Sequence, residues 1–141
     1  MVTIHKKSTF LLVTGHSQLG EAYINTQCYE QALEHLTLAL KYNGELLTTM
    51  PETKDYHIHL LTMLGRCYQE AGSPKEALSL LQKSYEMSQH VQAGNLLSQA
   101  SIISLMAKCH LALKDEHEPL KLLMQAQDIL SADEENTDLL E

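Results

Sequence analysis

An all-α solenoid of three helix-turn-helix repeats is the fold this sequence predicts, on three observations. A string of residues recurs at fixed spacing, apolar positions step with helical periodicity, and the composition lacks what a turn-rich β protein needs. The string is Leu19-Gly20-x-x-Tyr23, then Ala32-x-x-x-Leu36-x-x-Ala39. It returns 45 residues later as Leu64-Gly65-x-x-Tyr68, then Ala77-x-x-x-Leu81-x-x-Ser84. A weaker copy follows 42 residues further on, as Met106-Ala107-x-x-His110, then Pro119-x-x-x-Leu123-x-x-Ala126. Self-similarity at such a period marks units that cannot bury an apolar face alone and therefore stack on their neighbours. The 141 residues are 44% hydrophobic, enough for one core, with six Gly, three Pro and no Trp. Leu and Ala dominate the apolar set, as helices prefer.

The recurring residues resemble the tetratricopeptide repeat family. Its pattern sets a Leu-Gly pair and a Tyr three residues later on one helix. Ala, an aromatic or Leu, and Ala then follow at four- and three-residue steps on the next. The first copy carries all of these, including the opening Tyr29-Glu30-Gln31-Ala32-Leu33. The second departs at Ser84, where the family prefers Ala, and the third at Met106, Ala107, His110 and Pro119. The resemblance covers roughly Phe10 to Ser131 and implies a right-handed superhelix with a concave surface that takes a partner. Repeats of 45 and 42 residues exceed the usual length of about 34 and resemble those of kinesin light chains, spindle-orientation adaptors and bacterial peptide-sensing regulators.

Taken in order, six helices are expected at about 8–25, 29–43, 53–71, 74–90, 93–113 and 116–131. In the second unit Ile58, Leu61, Leu64 and Tyr68 line one face of the first helix; Ala77, Leu78, Leu81 and Tyr85 line the second. Ala71-Gly72 ends one helix. Ser73-Pro74-Lys75-Glu76 starts the next, with Ser73 and Glu76 as a capping box and Pro74 at the first helical position. Tyr42-Asn43-Gly44 and Ala93-Gly94-Asn95 read as breaks between units. Gly20 and Gly65 mark the closest approach of paired helices. If Asp115 caps the last helix, Pro119 lies near its first turn and that helix starts loosely. The organisation expected is an N-terminal segment 1–9, repeats at about 10–50, 51–92 and 93–131, and a frayed acidic tail 132–141. A tail that supplies no capping helix leaves the last repeat to be covered by the tail itself or by another chain.

Composition excludes several functions. The formal charge is −8 and Arg66 is the lone Arg, so the basic stripe that nucleic-acid binding requires is missing. No apolar run approaches a membrane span, and the four apolar residues after Lys6-Lys7 are too few for a signal peptide. A reducing, cytoplasmic setting is therefore expected. Cys28, Cys67 and Cys109 form no C-x-x-C pair, so neither disulfides nor a zinc site is indicated. Cys67 and Cys109 fall at one frame position that wants a small apolar residue, whereas Cys28 lies at an inter-helix turn. Eight histidines lack metal-ligand spacing; His57-x-His59 aims its rings at different faces, and His16 and His110 read as core-facing. With no catalytic residues, metal site or cofactor motif indicated, the reading is non-enzymatic.

The functional signal is the inner face of the first helices, which the resemblance assigns to the concave groove. Its outward residues are Thr14, Ser17, Glu21 and Asn25, then His59, Thr62, Arg66 and Gln69, then Ser101, Ser104 and Lys108. Ser17, Thr62 and Ser104 share a register, as do Glu21, Arg66 and Lys108. A hydroxyl column beside a charged column can hold the backbone of an extended protein or peptide ligand and grip one or two charged side chains. The family's clamp for chaperone tails uses Lys and Asn where this chain has Ser17 and Glu21, Asn where it has Arg66, and Lys and Arg where it has Ser104 and Lys108. Glu21 would repel a carboxylate, so that ligand is not expected. Self-stacking through an uncapped end, as a homo-oligomer or part of a larger assembly, is the alternative.

Overall fold

The computed structural model describes residues 2–90, 96–114 and 117–140. Its elements are α1 (Val2–Asn25), α2 (Tyr29–Leu47), a 3-10 turn (Pro51–Thr53), α3 (Lys54–Glu70), α4 (Pro74–Gln89), α5 (Leu96–Ala112) and α6 (Glu118–Leu140). Helices pair as α1–α2, α3–α4 and α5–α6, and successive pairs stack through α2–α3 and α4–α5. Backbones also approach along the first helices, α1 to α3 to α5, whereas among the described residues those of α2 and α4, and of α4 and α6, stay further apart, Gln125 Nε2 of α6 reaching Tyr85 Oη of α4 by its side chain at 2.9 Å. The stack therefore bends toward its first helices, which line the inner surface.

Two apolar clusters hold it. One joins Val13, Ile24, Ala32, Leu36 and Ala39 of the first repeat to Leu60, Leu64 and Cys67 of α3. The other joins Ala77 and Leu81 to Ile102, Ile103, Met106, Cys109 and Leu122. Tyr68 packs against both. Each fully buried Leu contributes roughly 1.5–3 kcal/mol. The recurrent Gly is what admits it: a Cβ on Gly20 would lie 2.5 Å from Leu36 Cγ, and one on Gly65 would lie 2.6 Å from Leu81 Cγ.

All three pairs turn in the same way. Gln27 and Lys114 have φ of 62° and Gly72 has φ of 90°, at positions 45 and 42 residues apart. Ser73 N–H donates to Tyr68 O at 2.8 Å and Gly72 N–H to Gln69 O at 3.2 Å; Cys28 and Gln27 repeat both bonds on Tyr23 O and Ile24 O. This double bond satisfies the last carbonyls of a helix and requires a left-handed residue, cheaply only when it is Gly.

Several boundaries differ from expectation. α1 begins at Val2, not near residue 8, since nothing before Gly15 breaks it and Thr9 Oγ1 bonds back to His5 O at 2.9 Å. α2 runs through Gly44 to Leu47, so Tyr42-Asn43-Gly44 is no break; buried Asn43 and Leu46 hold that turn in the helix. Ser73 makes no side-chain cap bond, although Pro74 opens α4 as expected. α6 continues to Leu140, past the expected end near residue 131, because neither Gly nor Pro follows Pro119. Pro119 falls in the first turn of α6, where its missing N–H costs no helical bond. Ala93-Gly94-Asn95 and Asp115 lie outside the described residues.

Candidate functional site

Because α3 and α5 touch sparsely along the inner surface, a furrow of about 350 Å³ remains between them. Its polar wall on α3 is Asp55, His59, Thr62 and Arg66, three or four residues apart and so on one stripe. Ser98 and Ser101 face them from α5, and Ile58, Met63, Ile102 and Leu105 form an apolar floor. Asp55 and Arg66 put opposite charges at the two ends of the stripe. Arg66 Nε donates to Glu70 Oε1 at 3.1 Å, half-exposed, which leaves the guanidinium's terminal nitrogens to offer a planar fork.

Four of the eleven residues read from sequence therefore meet in one space: His59, Thr62, Arg66 and Ser101. Glu21 and Asn25 are exposed on α1, Lys108 is exposed on α5, and Ser104 and Gln69 are half-buried beyond the furrow. Thr14 spends its hydroxyl on Leu11 O at 3.0 Å. The hydroxyl column divides: Ser17 is 4% exposed and withdrawn from the surface, whereas Thr62 lines the furrow. Thr62 lies 2.7 Å from Ser84 Oγ and bonds Ile58 O at 2.8 Å. Ser84 is small enough to bring α4 this close to Thr62 without closing the furrow. Sequence reasoning missed Asp55 and Ser98, although each lies one helical turn before a residue it had found.

The histidines and cysteines divide as their helix faces dictate. His59 is exposed and tilts against Tyr56, with centroids 6.0 Å apart. His57 turns the other way, and Asn43 Nδ2 donates to its Nδ1 at 3.1 Å across the junction of the first two repeats. One repeat later the same frame positions hold Ser88 and Gln99, whose Nε2 donates to Ser88 O at 3.2 Å. Burial lowers the His57 pKa, and the Lys83 charge lowers it further. Cys67 and Cys109 are fully buried. Burial raises the Cys67 pKa, with Glu70 adding to it against Arg66, and burial raises that of Cys109. Neither is a poised nucleophile. Among the described residues no three His, Cys, Asp or Glu gather to hold a metal, and no helix is long and apolar enough to cross a membrane.

The paired helices, the Gly-to-Leu contacts and the shared inner surface are features of one repeat type, and the family model for the tetratricopeptide repeat matches residues 55–132, more than half of the chain. The chain belongs to the tetratricopeptide repeat family. Tetratricopeptide repeats mediate protein–protein interaction and serve as non-catalytic scaffolds. Two solved structures share the fold, both of nearly identical TPR-like repeats from a candidate kinesin light chain of Podosopora anserina. The first is 20% identical with a TM-score of 0.67 over 86% of this chain. The second, a single-residue variant of that protein, is 19% identical with a TM-score of 0.68 over 87%. The chain spans 56% and 57% of those solved chains. No curated protein matches it significantly in sequence.

Proposed function

We propose that this chain is a non-enzymatic interaction module that holds an extended segment or helix of a partner protein in the furrow between α3 and α5. The observation that carries the reading is the convergence of His59, Thr62, Arg66 and Ser101 around one space with an apolar floor. The partner's chemistry follows from the walls. An apolar side chain covers Ile58, Ile102 and Leu105, an acidic group reaches Arg66, and a basic or neutral group lies toward Asp55. Lys108, exposed on α5, extends the preference for acid toward the third repeat, and Glu21 favours a basic or neutral residue at the first. The units that carry these residues are proposed to run at about 10–50, 51–92 and 93–131.

Nucleic acid and membrane surfaces are not among the proposed partners, given the net charge of −8. The proposed compartment is the cytoplasm, where thiols stay reduced, a reading supported by three free cysteines, two of them buried. Self-stacking is a second reading, favoured by one observation. Leu120 and Leu123 on α6 are 64% and 46% exposed, at the frame positions of Leu78 and Leu81, which pack against the next repeat. The deciding experiment is capture of partners with the wild type and with Arg66→Glu, read by quantitative mass spectrometry beside light scattering. Furrow binding predicts partners lost from the variant and a monomeric wild type; self-stacking predicts concentration-dependent mass and an unchanged partner set.

A further inference from the structure

His16 on α1 and His35 on α2 meet across the first helix pair with their Nδ1 atoms 3.0 Å apart. The same two frame positions hold Leu61 and Leu80 in the second repeat, and Ile103 and Leu122 in the third. Those pairs are apolar and indifferent to pH. In the first repeat alone, this contact is made by two titratable rings. The imidazole centroids are 5.2 Å apart with planes 27° from parallel, so the nitrogens meet head-on. Tyr42 stacks on His16 at 6.1 Å and Tyr23 on His35 at 5.5 Å. Four rings, drawn alternately from α2 and α1, thus hold both imidazoles in place.

We infer that the His16–His35 contact makes the α1–α2 pair proton-sensitive, closed while one Nδ1 remains a bare acceptor and opened once both rings are protonated. An N–H···N bond needs one donor and one lone pair. The neutral pair meets this with one ring protonated at Nδ1 and the other at Nε2. After one proton is added, the imidazolium donates to the neutral ring and the bond survives. A second proton turns two N–H groups toward each other and sets two positive charges side by side in a half-buried place, where repulsion is stronger than in water. Tyr23 and Tyr42 are the titratable groups packed on the pair. Among the described residues, no carboxylate, lysine or arginine of α1, α2 or α3 forms an ion pair or hydrogen bond with either ring to offset the second charge. Opening frees α1 from α2, and with it the first repeat's share of the inner surface.

Hydrogen exchange of the α1 and α2 amides, corrected for intrinsic rates and compared at about pH 7.5 and about pH 5, tests this. The wild type should exchange roughly tenfold faster or more in α1 and α2 at the lower pH, relative to α3 through α6. His16→Leu with His35→Leu, which copies the second repeat, should abolish the increase. His35→Gln leaves a single ring to charge and should abolish it too, independently of how a Leu pair repacks. His57→Gln, which removes the acid effect at the α2–α3 junction, should leave the increase in α1 intact. Unchanged exchange in the acidified wild type, an increase in α1 that survives His35→Gln, or one that disappears from α1 in His57→Gln would each overturn the inference.

Discussion

The Ser84 hydroxyl lies 2.7 Å from the Thr62 hydroxyl, and both reach the carbonyl of Ile58, at 3.1 and 2.8 Å. Two protons serve three oxygens, so one hydroxyl donates to the carbonyl and the other donates to its neighbour. This accounts for Ser84 where the family prefers Ala: the second repeat replaces a small apolar contact between α3 and α4 with a closed polar one. A double-mutant cycle of Thr62→Val and Ser84→Ala should give a coupling of about 0.5–1.5 kcal/mol in chemical denaturation. Additive losses would mean that the hydroxyls do not depend on each other.

Gly65 and Gly44 should respond to Ala with opposite signs. A Cβ at Gly65 meets Leu81, which is fully buried and cannot withdraw, so Gly65→Ala should cost about 1–3 kcal/mol. Gly44 sits inside α2 with nothing within 4 Å of a Cβ. Gly44→Ala should gain about 0.4–1 kcal/mol by restricting the unfolded chain. Equal effects in thermal melts would show that the Gly-to-Leu contact does not set the helix separation.

The three left-handed turn residues give a matched pair of substitutions. Gln27 adopts φ of 62° where the next repeat has Gly72. Gln27→Gly should therefore stabilise by about 0.5–1 kcal/mol, and Gly72→Ala should destabilise by about 1 kcal/mol. Calorimetry of the two variants checks the signs, which a turn lacking this conformation would not reproduce.

The fold was legible because its strongest constraint leaves a mark in sequence: only Gly admits Leu36 and Leu81 so close to the facing helix. Length was less legible. Gly44 and the acidic run after Ser131 are weak breakers or none, and packing or propensity carries the helix past them. The site was legible by stripe but not by rotation. His59 and Arg66 face the furrow as their spacing implies. Ser17 and Thr62 belong to the same apparent face, yet Ser17 is buried while Thr62 stays half-exposed at the furrow. A single helix's pattern does not contain its partner's bulk.

His57 should impose an acid limit on the junction of the first two repeats. Its pKa is lowered in the folded state, chiefly by burial, so on acidification the unfolded chain takes the proton first. Its contribution is complete above the unfolded value, about pH 6.5, and is lost as pH falls from there through the folded pKa. Melting temperature should decline over that window in the wild type and decline less in His57→Gln, which supplies the residue found at Gln99. Identical slopes would clear His57 of the effect.

The most direct test of the furrow as the binding surface is the affinity of a captured partner segment for the double reversal Arg66→Glu with Lys108→Glu. Lys75→Glu, a change at an exposed position at the start of α4, serves as a single-charge control. Surface reversals should leave the melting temperature nearly unchanged, within about 0.5 kcal/mol of stability each. The loss of one charge-assisted hydrogen bond should weaken binding by about 1.5–3 kcal/mol, in a manner that shrinks with added salt, while the control binds as the wild type does. Undiminished affinity in the folded double variant would contradict the account and move the binding surface away from α3 and α5.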